Sequence, residues 1–302
     1  MKLRMRLHLK PFLLFVAATL LLVVPASFVL TERLQKTDNE QSTRILIKYL
    51  RNVYSRDFKH AYRFVSAADK HLKNEETYVQ ERSPFSGFTL ETAKKLSEFI
   101  EFRPAEIKID DNRARIILAF RAPDMNSLST ILLDWDEERL NALPLYEQKK
   151  LLASIDDLKR RGSLEMIEGQ EEFNLVREGN SWRLFFNWAS GIRVNFTTLV
   201  PQDGPIEAQP TIKATVTQPN ELFTIAYRVK NLTDKDVFAR ITHRVTPAAL
   251  GEHLDLVECG LLLPVRIPPG QEQTYPSTYV VRGDIADGTK SLDVTYEFKV
   301  EH

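Results

Sequence analysis

Of the 302 residues, Cys259 is the one cysteine. A lone cysteine cannot close a disulfide within the chain. Three uses remain: burial as a small apolar residue, pairing with another chain, or ligation of a soft metal. Two histidines bear on the third use. His243 shares the alternation of Ile241 and Val245, which predicts a core or interface histidine rather than a ligand. His253 has the parity of Cys259, but on a straight strand six residues at ~3.3 Å each separate the two by about 20 Å. They would share an ion only where the chain bends sharply or where two chains meet.

Elsewhere the chemistry-bearing types are isolated. Tyr54, Asp57 and His60 lie near one another and could be read as a catalytic group. Asp57 equally suits a helix N-cap, Tyr54 lies on an apolar stripe, and His60 needs no role beyond the surface. The paired acids Asp110-Asp111, Asp156-Asp157 and Glu171-Glu172 are sequence neighbours that do not converge on one substrate atom, and they read as solvated. No His-Glu-x-x-His, glycine-rich phosphate loop or Gly-x-Ser-x-Gly elbow occurs. The expectation is a protein that is not an enzyme, with no catalytic residue and no bound organic cofactor. Lys and Arg balance Asp and Glu at 41 each, so no basic surface calls for nucleic acid. The run Lys159-Arg160-Arg161 reads as a solvated helix face.

Three regions must position these residues. Residues 1–37 form a basic end and an apolar stretch. Pro11 to Leu30 carries no charge, and a segment of that length at about 1.5 Å per residue just crosses a hydrocarbon layer of ~30 Å. Lys2, Arg4, Arg6 and Lys10 precede it, which predicts a single-pass anchor in the cytoplasmic (inner) membrane. The N-terminus would lie in the cytoplasm and the bulk of the chain outside, in the periplasm. The competing reading is a signal peptide cleaved after Ala26; it leaves the rest of the chain outside as well.

Residues 38–190 read as an α+β domain. Ile45, Leu46, Tyr49, Leu50, Val53 and Tyr54 recur at helical spacing, and Phe58, Ala61, Tyr62 and Val65 share the face of a second helical stretch begun by Asp57. Residues 105–120 alternate around Asp110-Asp111-Asn112 as a β-hairpin. Helix returns over 136–161, and two strands follow around 172–176 and 182–186. In residues 191–302 alternation dominates: Ile212, Ala214, Val216; Phe223, Ile225, Tyr227, Val229; Val237, Ala239, Ile241, His243, Val245; Leu292, Val294, Tyr296, Phe298, Val300. Turn chemistry separates the runs at Pro219-Asn220, Asn231-Leu232-Thr233-Asp234, Pro268-Pro269-Gly270 and Asp287-Gly288. That is the pattern of an all-β, immunoglobulin-like sandwich.

Two resemblances refine this. The opening YLRNVYSRDFKHAYRFVSAADKHL and the ending FNLVREGNSWRLFFNWA resemble the nuclear-transport-factor-like cone fold, in which helices pack into a curved sheet. The stretch YRVKNLTDKDVFARITHRVTPAALGEHLDLVECG resembles the CtaG family of cytochrome c oxidase assembly proteins, which deliver copper. The turn Asn231-Leu232-Thr233-Asp234, the strand end Val245-Thr246-Pro247, Cys259, Pro269-Gly270, Pro276 and the last strand from Leu292 to Phe298 follow the family's order and spacing.

The family's Cys-Phe-Cys-Phe is here Cys259-Gly260-Leu261-Leu262. The resemblance therefore implies a degenerate copper motif: Cys259 holds the first ligand position, and Leu261 stands at the second. A further family cysteine near the membrane has no counterpart. Cu(I) favours two soft donors, so this chain's own chelate is lost unless a homodimer brings two Cys259 thiolates together. The family implies an assembly factor near a haem-copper oxidase subunit or another membrane complex. Beside it stand a metal-free, membrane-tethered protein-binding scaffold and a small-ligand binder or enzyme using the cone cavity.

Overall fold

The computed structural model describes residues 37–82, 84–124, 137–261, 263–283 and 290–301. The apolar stretch Pro11–Leu30 and the turn at Asp287-Gly288 lie outside them. Among the described residues no helix is long and apolar enough to cross a membrane.

The chain is helical from 37 to 54 (α1), and Leu46, Tyr49 and Leu50 form its buried stripe. Short helices follow at Phe58–Tyr62 (α2), Ala67–Lys70 (α3) and Glu75–Gln80 (α4). Each is capped by the side chain before it: Asp57 accepts from the His60 amide, Ser66 from that of Asp69 and Asn74 from that of Thr77. Helices α5 (Gly87–Ser97), α6 (Glu137–Asn141) and α7 (Leu145–Arg161) bury Phe88, Phe99, Leu140, Leu151 and Ile155 together. Gly162 ends α7 in the left-handed conformation at φ 62°, where a side chain would be strained. Arg160 and Arg161 are exposed in the last turn.

Strands β1 (Glu101–Asp110), β2 (Arg113–Pro123), β3 (Met166–Glu178) and β4 (Ser181–Leu184) form an antiparallel meander in that order. The expected hairpin is β1–β2, with Asp111 at φ 48° in its turn. One face of the meander buries Ala114, Ile116, Leu118, Phe173 and Leu175 against α1 and α2. The other carries cross-strand ion pairs such as Arg115–Glu172 and Arg121–Glu168.

The remaining strands form two sheets. One runs β10 (Leu254–Cys259), β12 (Glu272–Val281), β8 (Leu222–Asn231), β6 (Ile206–Pro210). The other runs β11 (Val265–Ile267), β9 (Val237–Thr246), β13 (Ser291–Glu301), β5 (Ile192–Leu199), β7 (Ala214–Thr217). All neighbours are antiparallel except β13 and β5, which run parallel. Phe223, Ile225, Tyr227 and Val229 of one sheet share a core with Ile241, Leu292, Val294, Tyr296 and Phe298 of the other. The alternation is that of a sandwich. Of the two uses expected of His243, core or interface, the core one does not hold: it lies in the inner row of β9, opposite Tyr296, yet its side chain is exposed. Enough of the imidazole is covered that burial still lowers its pKa.

Candidate functional site

Cys259 ends β10, an edge strand, and is half-buried. What aims its side chain is a bulge. Leu254 and Leu256 pair with Val281 and Tyr279 on the inner face; the register then slips, and Glu258 and Cys259 pair with Thr278 and Ser277. The extra residue is Val257, exposed like Glu258. An inserted residue reverses the alternation downstream. Cys259 therefore turns inward with Leu254 and Leu256, and no longer shares the parity of His253, which lies at the far end of the strand. The shared parity of His253 and Cys259 expected from the sequence is thereby corrected.

After Cys259 the chain crosses between sheets. The Gly260 amide donates to the Pro276 carbonyl at 3.0 Å, and the Leu261 carbonyl accepts from the Ile241 amide of the opposite sheet at 3.1 Å. Leu261 is fully buried in the sandwich core. The position that would carry a second sulfur is thus spent on hydrophobic packing.

The Cys259 sulfur has a polar surround. It accepts from the Ser277 hydroxyl at 3.3 Å and from the Leu261 amide at 3.4 Å, and the Tyr296 hydroxyl lies 3.9 Å away. Tyr279 donates its hydroxyl proton to that of Tyr296. The Tyr227 ring stacks on Tyr296 with centroids 3.9 Å apart. All three tyrosines are fully buried. Burial is the main cause that pushes their phenols far above the ordinary range, and the nearby Cys259 adds to it in each case. They remain protonated donors. Sequence reasoning placed Tyr227 and Tyr296 on core faces but did not gather them around the thiol; the available signal was a tyrosine on inward parity in strands flanking the cysteine strand, since a buried phenol needs a partner.

As a metal centre this arrangement is incomplete. It offers one soft donor and several hard hydroxyls, whereas Cu(I) selects sulfur. Among the described residues no three His, Cys, Asp or Glu side chains are grouped to hold an ion.

The turn Asn231-Leu232-Thr233-Asp234 is a structural knot. Asn231 is fully buried. Its amide donates to the carbonyls of Lys235 at 2.7 Å and Ile267 at 2.8 Å, and its oxygen accepts from the Thr233 amide and hydroxyl at 2.8 and 2.9 Å. All four hydrogen-bonding positions of the amide are filled, which ties the β8–β9 turn to β11.

The triplet Tyr54, Asp57 and His60 does not converge. Asp57 caps α2 and pairs with His60 at 2.7 Å and Lys94 at 2.8 Å, whereas Tyr54 packs its ring against Phe102 and Phe120. Asp110 and Asp111 are exposed in the hairpin turn. Asp156 and Asp157 pair with Lys95 and Arg161. The larger hollows of the helical half are surface features. One of about 510 Å³ lies between α1 and β1, beside Ile47, Pro104 and Ile107. Another of about 480 Å³ lies over Ala119, where Arg103 and Arg121 pair with Glu101 and Glu168. Neither holds a buried carboxylate.

The resemblance of residues 38–190 to the nuclear-transport-factor-like fold is not supported by the comparisons. A solved structure of Escherichia coli alpha-2-macroglobulin activated by porcine elastase is similar only at TM-score 0.21 and 9% identity, over 67% of this chain and 22% of that one. The cytochrome c oxidase assembly protein CtaG of Rhizobium meliloti is 30% identical over 112 residues, 35% of this chain and 57% of the relative. The mitochondrial cytochrome c oxidase assembly protein COX11 of Saccharomyces cerevisiae is 25% identical over 95 residues, 32% of each. The match thus spans about half the bacterial relative's length and a third of the yeast one's. Residues 167–299, from within β3 to within β13, match the model of the family described as cytochrome c oxidase assembly protein CtaG/Cox11, so the likeness to that family lies in this C-terminal part.

Proposed function

We propose that this chain is a non-catalytic assembly factor of the cytochrome c oxidase type, held by its apolar N-terminal stretch at the outer face of the cytoplasmic membrane. Its sandwich docks an oxidase subunit or a related membrane complex. The family match over 167–299 carries this reading, because that segment includes Cys259 in its place before the buried Leu261. Copper, if it is cargo here, is held by Cys259 together with a second soft donor from outside this chain, either the same thiol of a second copy or a client's sulfur. Anaerobic titration of the chain with Cu(I), beside Cys259→Ser, tests the copper step. Binding of one ion per two chains, lost in the variant, is expected.

A second reading is favoured by Leu261 in the core and by the hydrogen bonds already directed at the sulfur: a metal-free scaffold that keeps only the docking surface. Binding no greater than that of Cys259→Ser, with retained co-purification of oxidase subunits from membranes, would select it. Failure of both chains to associate with any oxidase subunit would overturn the assembly role itself.

A further inference from the structure

Helix α1 carries a charge asymmetry that the rest of the fold does not use. No Asp or Glu occurs between residues 41 and 56, while Arg44, Lys48 and Arg51 recur at spacings of four and three, which sets them along one face of the helix. That face is opposite the buried stripe of Leu46, Tyr49 and Leu50, and all three side chains are exposed. Among the described residues none of the three joins an ion pair. Exposed arginines of the strands, such as Arg115, Arg121 and Arg244, each have a carboxylate. The three cations border the hollow of about 510 Å³ between α1 and β1, where Ile47, Pro104 and Ile107 supply an apolar wall and Glu40 is the one acid. The hollow does not suit an added strand. β1 is an edge strand, but Pro104 has no amide proton and the pairing register slips between Pro104 and Glu106. What suits it is a negatively charged surface with apolar matter just beneath. Only residues 31–36 separate the uncharged stretch Pro11–Leu30 from α1. At up to ~3.6 Å each they hold the start of α1 within about 20 Å of that stretch.

We propose that the Arg44–Lys48–Arg51 face of α1 binds anionic phospholipid. Headgroup phosphates meet the three cations, and the upper part of the acyl region lies against Ile47, Pro104 and Ile107. The proposal rests on the membrane-anchored reading, which brings lipid within reach of α1. It fixes which side of the helical half faces the bilayer. Each cation at an anionic surface strengthens the contact about fivefold, and salt screens the attraction.

The test uses the full chain reconstituted in vesicles of phosphatidylcholine alone and of phosphatidylcholine mixed with phosphatidylglycerol. Lys48 is the reporter. Its acetylation by a water-soluble reagent is read by peptide mass spectrometry against Lys213 and Lys235, which are exposed in the sandwich. In the mixed vesicles Lys48 should react about fivefold more slowly. The slowing should be relieved at high salt and absent in the double variant Arg44→Gln, Arg51→Gln, which keeps the reporter. Flotation with the phosphatidylcholine vesicles reads the anchor by itself. A chain that does not float there fails the anchored reading alone. Flotation with the mixed vesicles then judges the stripe, with about a thirtyfold loss expected in the double variant. No flotation with either kind of vesicle would overturn the proposal. So would equal Lys48 rates in the two kinds for an anchored chain; equal rates that are both slow would assign the stripe to a second copy of the chain.

Discussion

Asn231 shows how much one side chain can carry. It closes four hydrogen bonds inside the sandwich, to residues 233, 235 and 267. In Asn231→Ala the Ile267 carbonyl loses its buried bond from the amide, Lys235 keeps only the Thr233 hydroxyl at 3.0 Å, and Thr233 loses its acceptor for the backbone amide, so a loss of about 1–3 kcal/mol is expected by urea unfolding; no measurable change would refute the knot. Asp57 makes a prediction in pH. Burial alone would raise its carboxyl, but hydrogen bonds and charge from Lys94 and His60 hold it below the ordinary range. A depressed folded-state pKa contributes stability that is present above the unfolded value, about 3.9, and is lost as pH falls through the folded one. The difference in urea midpoint between the parent and Asp57→Asn should therefore be full at neutral pH and vanish in acid. A difference that grows on acidification contradicts the sign. At this scale the sequence was partly readable. Asn231 announced a turn and Asp57 a cap through their residue types, but that Asn231 is sealed off from water depends on β11, thirty-odd positions on, and local pattern carries no trace of it.

The elements were more legible than the residues, because each has a period. The helical stripe through Leu46, Tyr49 and Leu50, the β1–β2 hairpin and the inner rows of β8 and β13 all follow from alternation or its absence. Alternation fails where a strand breaks its own count. In β10 the bulge at Val257 turns Cys259 from the outer to the inner face, and no residue type in Leu254–Cys259 marks that slip. Its consequence can be measured. Deletion of Val257 removes the bulge and leaves Glu258 and Cys259 opposite Thr278 and Ser277, so the pairing becomes unbroken and the thiol stays inward. Cys259 should then react with an aromatic disulfide reagent at the parent's rate in the folded protein, and at the same rate in urea. A folded-state reaction several-fold faster would mean that the pairing with β12 does not set the orientation.

The two halves of the molecule meet over a buried group of charges that no motif foretold. Lys73 Nζ lies 2.7 Å from Glu81 Oε2, with both side chains almost wholly shielded, and 4.3 Å from the Trp188 ring. Arg82 pairs with Glu221 of the sandwich at 2.7 Å, and Glu221 also accepts from the Trp188 indole at 3.3 Å. The amide of Thr224 donates to the Glu81 carbonyl at 2.8 Å, and Asp69 accepts from the amides of Phe186 and Trp188 at 2.8 and 2.9 Å. Burial is the foremost influence on Lys73 and Glu81: it lowers the pKa of the lysine and raises that of the acid, each against its partner's attraction. Among the described residues Glu81 Oε1 has no hydrogen-bond partner. An ion pair so placed gains little net stability, because desolvation offsets its attraction, but losing one member strands the other charge. Lys73→Met should therefore cost about 3–5 kcal/mol. Adding Glu81→Leu should recover most of that loss, since two apolar side chains of similar size need no partner. If the double variant is as unstable as the sum of the single ones, the two charges do not act as a pair. If it is restored in stability but unfolds in two steps rather than one, the charges serve to couple the helical half to the sandwich, because the apolar replacements can fill the space but cannot fix the orientation that Glu81 and Arg82 impose on the strand they reach.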